Sequence, residues 1–347
     1  MIPLAIKAAG MVTAVGFNAA SSCAAMRAGI SGVKQTNLWD AESGTYLAAG
    51  KVPLPQWWVG LGKLADLAAP AILECYKQAE PISPRDIPVL LGVAPPDQPF
   101  RFAELDVQIL PEIEQRLGFQ LHLASRVISQ DHVSVVAGLR LAAVLIGHGQ
   151  ASCVIVASVD SLLVHELKNH YLSKRRLRTP NNSNGFSLGE AGSAVLVMPA
   201  GITSGGEVQI LGMATGQEQA TIESEQPMRG QGLTDVIRDA LSQAGVTMQE
   251  VHYRIADLNG EHYKFKEMVL SIGRFARTPT PELFDLWHPI EFIGDVGAAI
   301  GPIVLGVALN ASQKGYGVGP CILCTFGNDD GERAAIVLNH KANGMGS

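Results

Sequence analysis

Ile128-Ser129-Gln130-Asp131-His132-Val133-Ser134-Val135-Val136-Ala137-Gly138 changes its pattern in mid-course, from strand-like apolar residues to a helical pattern that continues to about residue 147. A strand delivered into a helix through a short polar turn is the repeating unit of an α/β protein. The turn holds His132 near the helix N-terminus, so this residue stands at an elbow. The segment that follows, Ala151 to Ala157, is all apolar or small, as expected of a strand covered by helices on both faces.

Working outward, Leu4 to Ala9 reads as a strand, Gly10 to Gly16 as a turn, and Ala19 to Ala28 as a helix ended by Gly29. Leu61 to Gln78 and Ala103 to Leu117 read as helices on either side of a buried strand, Val89 to Ala94. After a short Gly/Ser loop at Gly201 to Gly206, a second cycle opens with Glu207 to Met213. Its helix places Leu233, Val236, Ile237, Ala240, Leu241 and Ala244 on one face, before a strand at Tyr253 to Leu258. A helix at about 297–313 and strands at Cys321 to Phe326 and Ala334 to Leu338 close the chain. The two cycles have a similar order and predict a duplication, with halves at 1–200 and 201–347.

Composition narrows the function classes. The chain has 347 residues, 47% hydrophobic and 17% charged, which is material for a large core and argues against disorder. Its 37 glycines and 6% aromatics fit close backbone packing in an α/β fold. A net charge of -6 without a long basic tract excludes a general nucleic-acid binder. The apolar stretches, such as Ile300 to Leu309, fall short of the roughly 20 residues of a membrane span, and Met1 to Lys7 reads as a first strand rather than a signal peptide. Five cysteines in apolar settings fit reduced thiols of a cytoplasmic protein. Cys321-Ile322-Leu323-Cys324 has a C-x-x-C spacing, but in a strand positions three apart face opposite sides, so no metal or redox role is expected of it.

Five segments, in order, resemble the β-ketoacyl-acyl carrier protein synthase branch of the thiolase superfamily. They are Gly10 to Gly16, the elbow at His132, Gly185-Phe186-Ser187-Leu188-Gly189-Glu190-Ala191-Gly192, Gly294-Asp295-Val296-Gly297-Ala298-Ala299, and Thr325-Phe326-Gly327. The third, similar to the family's G-F-x-x-G-E-G-A strand entry, is the most specific. The resemblance implies a five-layered αβαβα fold and a homodimer whose sheets join across the two-fold axis. It also implies a cysteine nucleophile at the elbow and two histidines, and here the matching positions hold His132, Asp257, and Asp295 or, by strict spacing, Gly294. No lysine lies in Trp287 to Ile293, and Asn328 stands at the gating phenylalanine. Claisen condensation needs a thiolate to carry the acyl chain and neutral imidazoles to stabilise the developing oxyanion. Ionised aspartates would repel that charge, and losing even one such donor costs on the order of a hundredfold to a thousandfold in rate.

His132 therefore reads in two ways. It is a polar plug in an abandoned site, or a base paired with Asp257 or Asp295 in an acyl-thioester decarboxylase or hydrolase. Glu261 and His262 offer a second acid-base pair, although their setting reads as a polar loop with solvated side chains. Two Asp and one His also fit a metal site, but acid clusters of short spacing are absent, and neither metal nor other cofactor is expected. The basic run Lys174-Arg175-Arg176-Leu177-Arg178 could dock an acidic partner such as an acyl carrier protein, or could be a solvated loop. Trp57-Trp58 and Trp287-His288 are candidate interface anchors or buried aromatics. The expected function is that of a catalytically degenerate, ketoacyl synthase-like binding, accessory or adaptor component. Two versions remain open: a stand-alone homodimer in bacterial type VI secretion effector loading, with a secretion component as partner, and a chain-length-factor-like subunit paired with an active synthase.

Overall fold

Leu4–Val12, the first strand (β1), is buried along almost its whole length and consists mostly of small or aliphatic residues. It carries both faces of a sheet because helices pack on each side of it. The computed structural model describes residues 2–56, 58–201, 207–275 and 285–340, so Met1, Trp57 and residues 202–206 of the Gly/Ser loop lie outside the described residues. The remaining strands are β2 (Val33–Asp40), β3 (Thr45–Gly50), β4 (Val89–Gly92), β5 (Arg126–Ile128), β6 (Val154–Ser161), β7 (Glu190–Pro199), β8 (Val208–Gln217), β9 (Tyr253–Ala256), β10 (Leu286–Trp287), β11 (Cys321–Gly327) and β12 (Glu332–His340). The α-helices are α1 (Ala19–Arg27), α2 (Leu61–Gln78), α3 (Leu105–Leu117), α4 (Ser134–Gly147), α5 (His165–Ser173), α6 (Gln231–Ala244), α7 (His262–Gly273), α8 (Ile290–Ile293) and α9 (Ile300–Lys314).

The main sheet runs β10-β9-β11-β12-β8-β1-β7-β6-β4-β5. β1 and β8 meet at its middle over a short antiparallel seam, Leu4 to Ile210, Ala5 to Gln209 and Ile6 to Val208. Outward from the seam the two flanks match, with two antiparallel pairings followed by two parallel ones on each side. One outer core packs α2 and α3 against the first flank through Leu67, Ile72, Ile109 and Ile113. Another packs α6 and α7 against the second through Leu233, Ile237, Met268 and Ile272. Between the flanks lie α4 and α9, whose Val136, Leu139, Ile303 and Val304 belong to the largest core. The result is the five-layered αβαβα arrangement. Cys321 belongs to the outer core and Cys324 to the central one, on opposite faces of β11, and all five cysteines are free. No described helix is long and apolar enough to cross a membrane.

Three readings of the chain change. Gly10 lies within β1 rather than starting a turn, because the carbonyl of Ala71 on α2 would sit 2.0 Å from any Cβ there. The β2–β3 hairpin and α5 escape detection because they are largely exposed and carry no continuous apolar stripe. Asn259 to Lys264 is not a solvated loop: it leads into α7, whose buried Lys264, Glu267, Met268, Ser271 and Ile272 form one helical face.

The close approach of α2 to the sheet yields a stability test. A Cβ at Gly192 would meet the Leu67 carbonyl oxygen at 2.0 Å, with backbone on both sides. We expect Gly192→Ala to cost about 2–3 kcal/mol in urea unfolding. At Gly273, exposed in α7 with nothing near a Cβ, Ala should instead stabilise by about 0.5–1 kcal/mol. Equal effects at the two positions would contradict the packing argument.

Candidate functional site

The turns that precede α4 and α9 face each other beneath the two flanks of the sheet, and the polar residues they carry meet there. His132 lies on a single 3-10 turn, Asp131–Val133, between β5 and α4. Asp295 lies just before the matching 3-10 turn, Gly297–Ala299, at the start of α9. Asp257 follows β9. All three are buried. His132 Nδ1 is 2.6 Å from Asp257 Oδ2, and its Nε2 is 3.5 Å from Asp295 Oδ1 and 3.9 Å from Asp131 Oδ1. The three residues singled out from the sequence therefore form one cluster.

Further groups complete it. Lys264 Nζ lies 3.2 Å from Asp257 Oδ2 and donates to the Gly327 carbonyl at 3.2 Å. The Gly327 amide donates to the same carboxylate oxygen at 2.9 Å. Asn259 donates to Asp295 at 2.8 Å and to Glu261 at 3.1 Å. Glu261 in turn accepts two hydrogen bonds of 2.8 Å from Arg176, which also reaches Asp329 at 2.5 and 3.1 Å. The Arg176 guanidinium packs beside the Tyr171 and Phe186 rings. Asn328 ties the elbow to the β11–β12 turn, accepting from the Val133 amide at 3.3 Å and donating to the Gln130 carbonyl at 3.1 Å.

Electrostatics decide the protonation states. Burial alone would lower the His132 pKa and Lys264 opposes its charge, but Asp131 and the hydrogen bonds to Asp257 and Asp295 outweigh both and push it up to about 10. Burial would raise Asp257, yet Lys264, His132 and the Gly327 amide bring it down to about 2. Asp295 is likewise held below the usual carboxylate range against burial by His132, Lys264 and Asn259. Asp131 behaves differently. Burial and the neighbouring Asp295 and Asp329 push it up to about 6 despite His132, and its Oδ1 accepts no hydrogen bond. At neutral pH His132 is an imidazolium clamped by two carboxylates.

The space left beside the cluster is small. A cavity of about 30 Å³, lined by Asp131, His132, Tyr171, Arg176, Lys264 and Asp295 among others, has room for about one water and none for an acyl chain. No group of three or more His, Cys, Asp or Glu among the described residues is placed to hold a metal ion.

The basic run does not act as a unit. Arg176 points inward to Glu261 and Asp329, because a buried guanidinium needs carboxylates around it, and it cannot meet a partner from the surface. Lys174 pairs with Glu223, while Arg175 and Arg178 are exposed. Glu261 is buried in its pair with Arg176 rather than solvated. Lys264 and Asn259 were missed as site residues, and Arg176, expected to dock a partner, belongs to the buried cluster instead. The signal for Lys264 was available, since it opens the stripe 264-267-268-271-272 that faces the core. Trp58 donates to Asp66 at 2.6 Å, and Trp287 stacks between Tyr253 and Tyr316, so neither is a bare interface anchor.

The clamp makes stability depend on pH with a definite sign. The His132 pKa is raised above its unfolded value, so its contribution is complete below about 6.5 and is lost as pH rises toward about 10. Asp257 contributes above its unfolded value near 3.8 and fades as pH falls toward about 2. We expect unfolding free energy to decline between pH 7 and 10, and His132→Gln to flatten that decline while costing about 3–5 kcal/mol at pH 7. Chemical denaturation across this range, with the same alkaline slope in both proteins, would refute the clamp.

The sequence matches no protein-family model and no curated protein. The fold does have close likenesses among solved structures. The ishigamide ketosynthase/chain length factor superposes with a TM-score of 0.71 at 19% identity, over 98% of this chain and 100% of that one. A type II PKS acyl-carrier protein in complex with its ketosynthase bound to the hexaketide gives a TM-score of 0.79 at 15% identity, over 98% and 100%. A ketosynthase (ApeO) in complex with its chain length factor (ApeC) from Xenorhabdus doucetiae gives 0.77 at 15%, over 98% of each chain. Across its whole described length the chain has the thiolase-like fold of the ketosynthases and chain length factors.

Proposed function

We propose that this chain is a non-condensing, ketosynthase-like binding subunit that works by pairing with another protein. The observation that carries the proposal is the clamped imidazolium: at the elbow position a buried ion cluster leaves about 30 Å³ of free space. A carbon-carbon condensation has neither a thiolate to carry the acyl chain nor neutral donors for the oxyanion there. The decarboxylase or hydrolase reading fares little better. A general base works best with a pKa near the operating pH, and His132, at about 10, is already protonated with its ring nitrogens turned to carboxylates.

The pairing surface is the end of the sheet. Among the described residues β5 pairs only with β4, through Leu90 to Arg126 and its neighbours, and its other edge is free. Exposed apolar side chains flank it: Phe100, Phe102, Val107 and Leu123. A free strand edge beside such a patch is suited to joining a second sheet, from another copy of this chain or from a cysteine-bearing synthase. The solved ketosynthase and chain length factor complexes support the second arrangement by analogy of fold. A stand-alone dimer serving as a secretion adaptor would use the same edge.

Two measurements test this reading. Incubated with acyl and malonyl thioesters, the protein should give no turnover and no covalent acyl adduct by intact mass; turnover that disappears in His132→Ala would replace the binding reading with the enzymatic one. In sedimentation, Val107→Glu with Leu123→Glu should shift the assembly to monomer without loss of secondary structure. Affinity purification from the native cell then separates the partners: a cysteine-bearing synthase supports the chain-length-factor-like version, and secretion components the adaptor.

A further inference from the structure

The β2–β3 hairpin stands beside the sheet, and a cleft of about 990 Å³ borders β3 together with Ser31 and with Val33 and Gln35 of β2. At the inner end of the cleft, the Gly50 amide donates to the Leu188 carbonyl at 2.7 Å, so the last residue of β3 is the neighbour of the 187–189 segment. Toward its other end the two chains part. Thr45 to Ala48 form one wall and Arg178 to Pro180, Ser183, Gly185 and Ser187 the opposite one, with Leu258 to Gly260, Phe265 and His288 also lining the space.

The backbone of β3 is set up to be paired across this gap. Gly50 turns its amide away from β2, and in an antiparallel ladder the residues two and four positions back turn theirs the same way. Those are Ala48 and Tyr46. The register shift in the hairpin falls in β2, between Gln35 and Trp39, while β3 advances regularly from Ala48 to Tyr46. Consistent with that direction, Leu47 faces β2 and accepts from Thr36 at 2.9 Å. No hydrogen bond from outside the hairpin reaches the Tyr46 or Ala48 backbone among the described residues, and both residues are exposed. An unpaired strand edge of this kind is a template for one more strand.

Charge in the cleft has a direction too. Arg178 is exposed, and its guanidinium makes no hydrogen bond or ion pair with the rest of the described protein. Glu291, the carboxylate lining the cleft, has a partner of its own, since His288 Nδ1 lies 3.3 Å from its Oε2. Tyr46 and Phe265 add aromatic surface between them.

We propose that this cleft binds an extended segment of a partner protein, which adds as a third strand to the free edge of β3 and places an acidic residue against Arg178. The main-chain bonds to Tyr46 and Ala48 supply sequence-independent affinity. Arg178 and the aromatic walls supply the choice of partner. The cleft shares no residue with β5 or its flanking patch, so this surface stands or falls independently of the pairing proposed above.

The test uses the full chain and a phage-displayed library of random dodecapeptides. Enriched peptides should carry an acidic residue at a fixed position, and binding should slow hydrogen exchange at the Tyr46 and Ala48 amides. Ala48→Pro removes an outward amide that the hairpin itself does not use, and should weaken those peptides at least tenfold with an unchanged circular dichroism spectrum. Arg178→Glu should do the same, and exchanging the acidic residue of the peptide for lysine should restore its binding. Enrichment of no peptide, or of peptides indifferent to both substitutions, would overturn the proposal. So would a change of oligomeric state in Ala48→Pro, which would make the edge a seam between copies of this chain.

Discussion

A charge taken out of water costs several kcal/mol unless another charge meets it, and that constraint ties together the segments that converge beneath the two flanks of the sheet. His132 is held by Asp257 and Asp295, Asp257 by Lys264, Asp295 by Asn259, Glu261 by Asn259 and Arg176, and Asp329 by Arg176. The elbow, the turn before α9, the start of α7, the segment after α5 and the β11–β12 turn are thereby fixed relative to one another. No member can leave without stranding a partner. A site built this way is rigid and closed, the opposite of one that must admit and release a long substrate.

The internal symmetry of the sheet explains where the opposite charges come from. α4 and α9 follow equivalent strands, and each is preceded by one 3-10 turn. Their N-termini therefore point into the same space, and a helix N-terminus favours negative charge. That suits Asp295, but it works against an imidazolium at His132. His132 keeps its proton because the carboxylates outweigh both the helix and the burial. The same elbow would favour a thiolate if those carboxylates were absent, so the backbone still offers what a condensing enzyme uses while the side chains oppose it.

Much of this was legible in the residues. The alternation of strands and helices, the repeated cycle and the elbow at His132 all rest on apolar periodicity, which burial enforces along long segments. The convergence of His132, Asp257 and Asp295 was implied by the family resemblance at the matching positions. Arg176, Lys264 and Glu261 were harder, because charged residues read as solvated unless their partners are known, and those partners lie far away in sequence: Glu261 is 85 residues from Arg176 and Asp329 is 153. The β2–β3 hairpin was also invisible, since its strands are half exposed and its place is set by glycine contacts such as Gly50 against the Ile293 carbonyl.

The residues around the elbow form one of two exclusive sets. With neutral imidazoles at the two positions facing it, a thiolate at the elbow keeps its charge and a developing oxyanion finds donors. With ionised carboxylates at those positions, a thiol would retain its proton and any oxyanion would be repelled, whereas an imidazolium is stabilised. Intermediate combinations serve neither arrangement, because each leaves a buried charge unmatched or a donor missing. On the proposed function, His132, Asp257 and Asp295 act as one set, with Lys264 and Asn259 among the groups that hold it. On the proposed non-condensing function, the energetic demand on this space is only that each buried charge meets an opposite one. The fold then serves, on the proposals above, through the surfaces it presents: the edges of β5 and β3 that are unpaired among the described residues.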